Sequence, residues 1–274
     1  MSSLTQDLAY AELLEALAPA LRDAGALIER LKAGGMVSRD KADSSPVTEA
    51  DEAAERLLEA AIRQIDREAV IVGEEAAAAG LLPAAAGRFW LIDPLDGTRD
   101  FIAGGTDYSV NVGLVQDGSP MLGLVLHPPT GLLWTGAIGL GAWKEGPDTP
   151  RHAIRARPCP GTAPLIVTSR SHLDERTRAW CAACAGASLQ PSGSSLKFCL
   201  LAEGAADAYP RFGPTSEWDT AAADAILRAA GGITLGQDGQ PFAYGKPHYL
   251  NGPFLAIADP GALAQFPALS LIHI

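Results

Sequence analysis

The sequence predicts an α/β protein (α+β in schemes that separate the two), and three observations lead there. Short apolar runs at 69–72, 89–92 and 165–168 have the length of buried strands, and each ends in polar or turn-forming residues. Longer stretches at 7–32, 48–65, 174–185 and 218–230 repeat their apolar positions every three or four residues, as helices do. The chain is 274 residues long with 47% hydrophobic residues, enough for one large α/β unit or two closely joined halves.

In order, the first helix places Leu14, Leu17, Leu21, Ala24, Ile28 and Leu31 on one face, contains Pro19 and stops at Gly34-Gly35. Residues 38–46, with Lys41, read as a polar loop. Thr48 with Asp51 has the form of a capping arrangement for a second helix whose stripe is Leu57, Leu58, Ala61, Ile62 and Ile65. Asp51 thereby falls in a first helical turn, where the helix dipole alone also favours an acid. After Glu74-Glu75, the alanine-rich stretch 76–86 reads as a surface connection.

Residues 108–115 and 121–126 form a hairpin about Asp117-Gly118, and a further strand pair follows at 132–138 and 141–144. Five prolines between 145 and 164 mark the join between a first half, 1–150, and a second, 151–268. The second half opens on the strand 165–168. Ser169-Arg170-Ser171-His172 then stands where α/β sheets bind ligands, so Arg170 and His172 are candidates for a phosphate or a base; capping the next helix is the other reading. That helix holds Trp180-Cys181-Ala182-Ala183-Cys184. It is read as two buried thiols, because a redox pair belongs at a helix start. Pro191-Ser192-Gly193-Ser194-Ser195-Leu196-Lys197 is a small-residue turn opening a helix, suited to an anion or to a plain serine cap. A strand at 205–209 leads to Arg211 among turn-formers, Trp218-Asp219 begins the last long helix, and strands at 232–235 and 254–258 close the fold. The tail Leu269-Ser270-Leu271-Ile272-His273-Ile274 resembles translated sequencing adapter and is set apart; a short natural apolar tail is the alternative.

The net charge of −11 argues against a nucleic-acid surface, and no apolar run is long enough to span a membrane. No export signal is visible and four cysteines make no disulfide framework, so a cytoplasmic protein is expected. Chemistry gathers at Trp90-Leu91-Ile92-Asp93-Pro94-Leu95-Asp96-Gly97-Thr98, where two carboxylates follow a buried run and a glycine lets the backbone approach a ligand. Asp93, the Leu95 carbonyl and Asp96 are hard oxygen donors of the kind magnesium takes; closing the turn is the plainer role for both acids.

Gly73-Glu74-Glu75, Asp93-Pro94-Leu95-Asp96-Gly97-Thr98 and Trp218-Asp219, in that order, resemble the signature of the inositol-monophosphatase-like, lithium-sensitive phosphatase superfamily. Asp43-Ser44-Ser45-Pro46-Val47-Thr48-Glu49-Ala50-Asp51 matches the superfamily's corresponding segment, in which the position of Glu49 is the variable one. Gly97-Thr98-Arg99-Asp100-Phe101 is similar to the GTKEF of the CysQ-type 3'(2'),5'-bisphosphate nucleotidases, as are 169–172, 193–199 and 209–215. The resemblance implies a layered α/β/α/β/α sandwich of the sugar-phosphatase type. It also implies two or three Mg²⁺ ions on Glu74, Asp93, Leu95, Asp96 and Asp219, the third near Asp51 and Glu74. Asp51, Glu74 and Thr98 would be catalytic. The substrate would meet Gly97, Thr98, Ser195, Lys197, Arg211 and His172, together with the metal-binding residues Glu74, Leu95, Asp96 and Asp219. The expected substrate is a small phosphorylated nucleotide, adenosine 3',5'-bisphosphate or its 5'-phosphosulfate analogue; the location is the cytoplasm or the cytoplasmic face of the inner membrane. An inositol or sugar monophosphatase is the enzymatic alternative, and a catalytically silent nucleotide-binding regulator the other.

Overall fold

The N-terminal helical patterns become α1 (Ser3–Ala33) and α2 (Glu49–Ile65) in the computed structural model, which describes residues 3–35, 38–40, 46–84, 87–170 and 173–269. Thr48 caps α2 reciprocally: its side chain accepts from the Ala50 amide, and the Asp51 carboxylate accepts the Thr48 N–H at 2.7 Å. The buried face of α2 is rotated from the expected stripe. It consists of Ala50, Asp51, Ala54, Glu55, Leu58 and Ile62, whereas Ile65 is exposed and Leu57 and Ala61 are half-buried. Two carboxylates occupy what periodicity reserves for apolar groups, because both have partners below the helix. Ahead of it, the expected loop contains β1 (Ser38–Asp40) and β2 (Pro46–Thr48), paired antiparallel. Lys41 and residues 43–45 lie outside the described residues.

A seven-stranded sheet runs in the order β3 (Ile71–Gly73), β4 (Arg88–Asp96), β5 (Ser109–Gln116), β6 (Ser119–His127), β7 (Leu132–Ala137), β8 (Gly141–Gly146) and β9 (Thr149–Ile154). Only β3 and β4 are parallel. Asp117 and Gly118 both have positive φ, as the two-residue hairpin requires. β9 lies in the stretch read as the join; Pro150 is tolerated there because β9 is an edge strand. Short helices α3 (Glu74–Ala78) and α4 (Thr98–Ile102) follow β3 and β4.

The second sheet contains β10 (Leu165–Ser169), β11 (Ser188–Ser192), β12 (Ala208–Arg211), β14 (Ile233–Gly236) and β16 (Phe254–Ile257), in the order β11-β10-β12-β16-β14. A ribbon of β13 (Thr215–Ser216) and β15 (Leu250–Asn251) stands beside it. Its helices are α5 (Glu175–Ala183), α6 (Leu196–Ala202) and α7 (Ala221–Ala229).

Alternation along β4 sends Trp90 and Ile92 toward α1 and α2, and Phe89 and Leu91 toward α6 and α7. The same middle helices meet Phe254 and Ala256 of the second sheet, whose other face packs Ile166, Leu255 and Ile257 on Trp180 of α5. The layers are therefore α/β/α/β/α, as expected. Leu269, set apart with the tail, is buried in this last core; 270–274 lie outside the described residues. No helix among the described residues is long and apolar enough to cross a membrane. Cys181 and Cys184 are free, buried thiols, pushed by burial to about 11 and about 12.

One seat decides where the site forms. Gly113, Gly123 and Gly136 are cross-strand neighbours on β5, β6 and β7. A Cβ at Gly123 would stand 1.9 Å from the Ala222 carbonyl oxygen, and one at Gly136 2.9 Å from Ile226 Cα. The row lets the α7 backbone lie directly on the sheet, which brings the turn before α7 to the end of β4.

Candidate active site

β4 does not stop at Ile92 but runs on through Pro94 to Asp96. Its pairing with β5 slips between Asp93, opposite Asn111, and Asp96, opposite Ser109. Such a bulge re-aims side chains, and Asp93 and Asp96 both face one cavity of about 1030 Å³. Gly97 then turns the chain with φ of 101°; a Cβ there would come 2.7 Å from the Asp107 carbonyl oxygen. The Thr98 hydroxyl lies 3.0 Å from Leu95 O and 3.2 Å from Asp51 Oδ1. Asp51 is thus behind Thr98 rather than on the cavity wall, and burial raises its carboxyl above the usual range.

Glu74 opens α3 directly after β3, whose Gly73 is in register with Ile92, so it stands beside Asp93. The helix start is held from α2: Glu55 accepts the Glu75 and Ala76 amides, both at 2.8 Å. A Cβ at Gly73 would collide with that carboxylate at 2.4 Å. Asp219 lies in the turn two residues ahead of α7 rather than at its start, with Oδ2 accepting the Ser216 amide at 2.8 Å. Buried Glu217 ties the same turn to the Gly245 and Lys246 amides, and Asn251 donates to Ser216 O and to the Thr220 hydroxyl.

The cavity therefore brings together Glu74, Asp93, Leu95, Asp96, Gly97, Thr98, Ser195, Lys197, Arg211 and Asp219. His172 lies outside the described residues. Burial pushes the Asp93 carboxyl well up, and neighbouring Glu74, Asp96 and Asp219 push it further. Asp96 is raised by burial to about 6, against the pull of Lys197; Asp219 is raised by burial and by Asp96. Lys197 is driven down by burial to about 8. A cation bound among these carboxylates would stabilise their charged forms. The donors are all oxygen, the set that suits magnesium or manganese rather than zinc. Among the described residues no three His, Cys, Asp or Glu side chains make a ready-made metal shell.

In the same cavity, Lys197 bonds the Ser192 and Ser194 carbonyls and stands over the Tyr209 ring. The Ser195 hydroxyl turns inward to Asn111 Oδ1 at 2.7 Å, while its backbone N–H bonds Asp96. Arg211 is braced by the carbonyls of Gly213 and Pro214, and Arg170 pairs with Asp107 at 2.9 Å. Glu55, Asp107, Asn111, Glu217 and Asn251 were not singled out from the sequence. For Glu55 a signal existed, its position four residues after Asp51 on the same helical face; for the others no local pattern marks them.

A profile of the inositol monophosphatase family matches residues 9–268. The chain is 40% identical over 215 residues to the 3'(2'),5'-bisphosphate nucleotidase CysQ of Escherichia coli K12, covering 78% of this chain and 86% of that protein. Its fold is similar to the crystal structure of CysQ from Bacteroides thetaiotaomicron, with a TM-score of 0.75, 32% identity and 91% and 97% of the two chains covered. It is similar also to the inositol monophosphatase of Anabaena sp. PCC 7120, with a TM-score of 0.71, 27% identity and coverage of 96% and 98%. The profile and these relatives show that the chain belongs to the inositol monophosphatase family.

Proposed function

We propose that the protein is a Mg²⁺-dependent 3'(2'),5'-bisphosphate nucleotidase. It hydrolyses adenosine 3',5'-bisphosphate to AMP and phosphate in the cytoplasm, with 3'-phosphoadenosine 5'-phosphosulfate as a second substrate. The observation that carries this reading is the presence, in one cavity, of four acids together with Lys197 and Arg211. A simple phosphomonoesterase needs only the acids. The likeness to curated CysQ nucleotidases supports the same choice.

Glu74, Asp93, the Leu95 carbonyl, Asp96 and Asp219 would hold two magnesium ions, with Asp51 and Glu74 near a third. When bound, magnesium supplies the positive charge that phosphoryl transfer requires at the equatorial and leaving oxygens. Thr98 orients the attacking water: its oxygen accepts a hydrogen bond from that water while its own hydroxyl donates to Asp51 Oδ1, 3.2 Å away. The water oxygen bonds to phosphorus as the bond to the ribose 3' oxygen breaks; the water's proton passes by way of Thr98 to Asp51, the leaving ribose oxygen takes a proton from solvent water, and the Gly97-Thr98 turn holds the phosphoryl oxygens. Lys197 and Arg211 hold the second phosphate, which is how a protein of net charge −11 accommodates so anionic a substrate.

Turnover of adenosine 3',5'-bisphosphate and inositol 1-phosphate, measured side by side with and without Mg²⁺, tests the proposal. Preference for the bisphosphate by about tenfold or more, lost on chelation, is expected. Preference for the inositol ester, or turnover of neither, overturns it.

A further inference from the structure

Two loops of the cavity face phosphate in this reading, and they belong to different sheets. One is the Gly97-Thr98 turn after β4; the other is the segment from Gly193 to Lys197 after β11. Asp107 touches both. Its own amide donates to Asp100 Oδ2 at 2.7 Å, which fixes it to α4. Its carbonyl oxygen fills the space beside Gly97, and its Cβ stands 2.4 Å from where a Cβ at Gly193 would be. Its carboxylate accepts the Gly193 N–H at 2.7 Å and pairs with Arg170 at 2.9 Å.

The second loop needs such a hold. It leaves an edge strand bonded only to β10 and passes through Ser194 at a φ of 47°. Ser195 anchors its later end on Asn111; Asp107 anchors its start. A carboxylate cannot itself receive a phosphate, and Arg170 cancels its charge at the rim.

We propose that Asp107 is a positioning residue which sets the spacing between the two phosphate subsites and so makes the cavity select a bisphosphate over a monophosphate. The inference rests on the function proposed above. A monoester engages the Gly97-Thr98 side alone and is indifferent to where Lys197 stands. A bisphosphate must meet both loops at once, so a loosened loop weakens its binding while the reacting end stays in place.

The test compares adenosine 3',5'-bisphosphate with 3'-AMP, which has the same leaving group and lacks the 5'-phosphate, in wild type, Asp107→Ala and Asp107→Asn. Amide hydrogen exchange over 193–197 is measured alongside. In Asp107→Ala the ratio of the two kcat/KM values falls about tenfold, through the KM of the bisphosphate, and exchange at 193–197 accelerates. Asp107→Asn keeps an acceptor for Gly193 but loses the ion pair, and its ratio falls about threefold; this variant carries the test should the alanine form not fold. Equal losses on both substrates, an unchanged ratio, or unchanged exchange overturn the proposal. A wild type with no preference for the bisphosphate overturns instead the functional reading, and the exchange measurement still decides whether Asp107 holds the loop.

Discussion

Replacing Gly123 by alanine tests how the fold delivers Asp219 to the cavity. The new Cβ would stand 1.9 Å from the Ala222 carbonyl oxygen and 2.6 Å from its carbon. Reaching the 3.4 Å of ordinary contact requires about 1.5 Å of movement, and backbone atoms of a packed helix offer no rotamer to absorb it. Overpacking of this kind costs roughly 3 kcal/mol, the upper part of its usual range. For a chain of this size that lowers Tm by about 5 °C. The displaced α7 carries the Asp219 turn with it, and a misplacement of about 1 Å at a reacting centre can cost on the order of 100-fold in rate. Thermal denaturation by circular dichroism and phosphate release well below Tm read the two effects. Gly161→Ala, with nothing within 4 Å, is the control and is expected to match wild type in both. A Gly123→Ala protein melting within about 1 °C of wild type would refute the seat. A lowered Tm with undiminished turnover would refute the link from the seat to Asp219.

Four further expectations concern the site. Asp93→Asn and Asp219→Asn abolish hydrolysis without unfolding the protein. Because burial raises these carboxyls and takes Asp96 to about 6, their protonated forms stabilise the metal-free fold at low pH, and that contribution is lost as pH rises through the folded values. Metal-free wild type therefore melts lower at alkaline than at mildly acidic pH, Mg²⁺ raises Tm more at the alkaline end, and an absence of this trend in thermal shift assays contradicts the shared cavity. Lys197→Ala reduces kcat/KM for the bisphosphate about tenfold more than for a simple monoester; since Lys197 loses its proton near 8, the wild-type KM for the bisphosphate climbs above that pH and the variant's does not. Glu55→Gln removes one of two acceptors at the start of α3 and shifts the Mg²⁺ concentration for half-maximal stabilisation upward by about tenfold, with recovery of turnover at saturating Mg²⁺.

What the sequence makes legible is what short-range chemistry writes into it. The Thr48 cap and the Asp117-Gly118 hairpin are each specified within a few residues, and each stands where expected; the turn after β4 comes only at Gly97, because the strand runs on past Ile92 to Asp96. The edge strands β9 and β11 were not legible, because strands paired on one side and open to solvent carry no apolar alternation; four of the five residues of β11 are exposed, Leu189 among them. The glycine row has no sequence signature, since its members lie on three strands and mean nothing until pairing sets them side by side. Glu55 does not follow from the periodicity of apolar residues, because this helix buries two acids on its inner face. Asp107 has no local signature at all; its meaning comes from Gly193, 86 residues away.

Crystals grown with Mn²⁺ in place of Mg²⁺, and examined by anomalous diffraction, address the metal cavity most directly. Two or more peaks enclosed by Glu74, Asp93, Asp96 and Asp219 and within reach of the Leu95 carbonyl are predicted. A protein active on the bisphosphate with no peak among these groups would contradict the account.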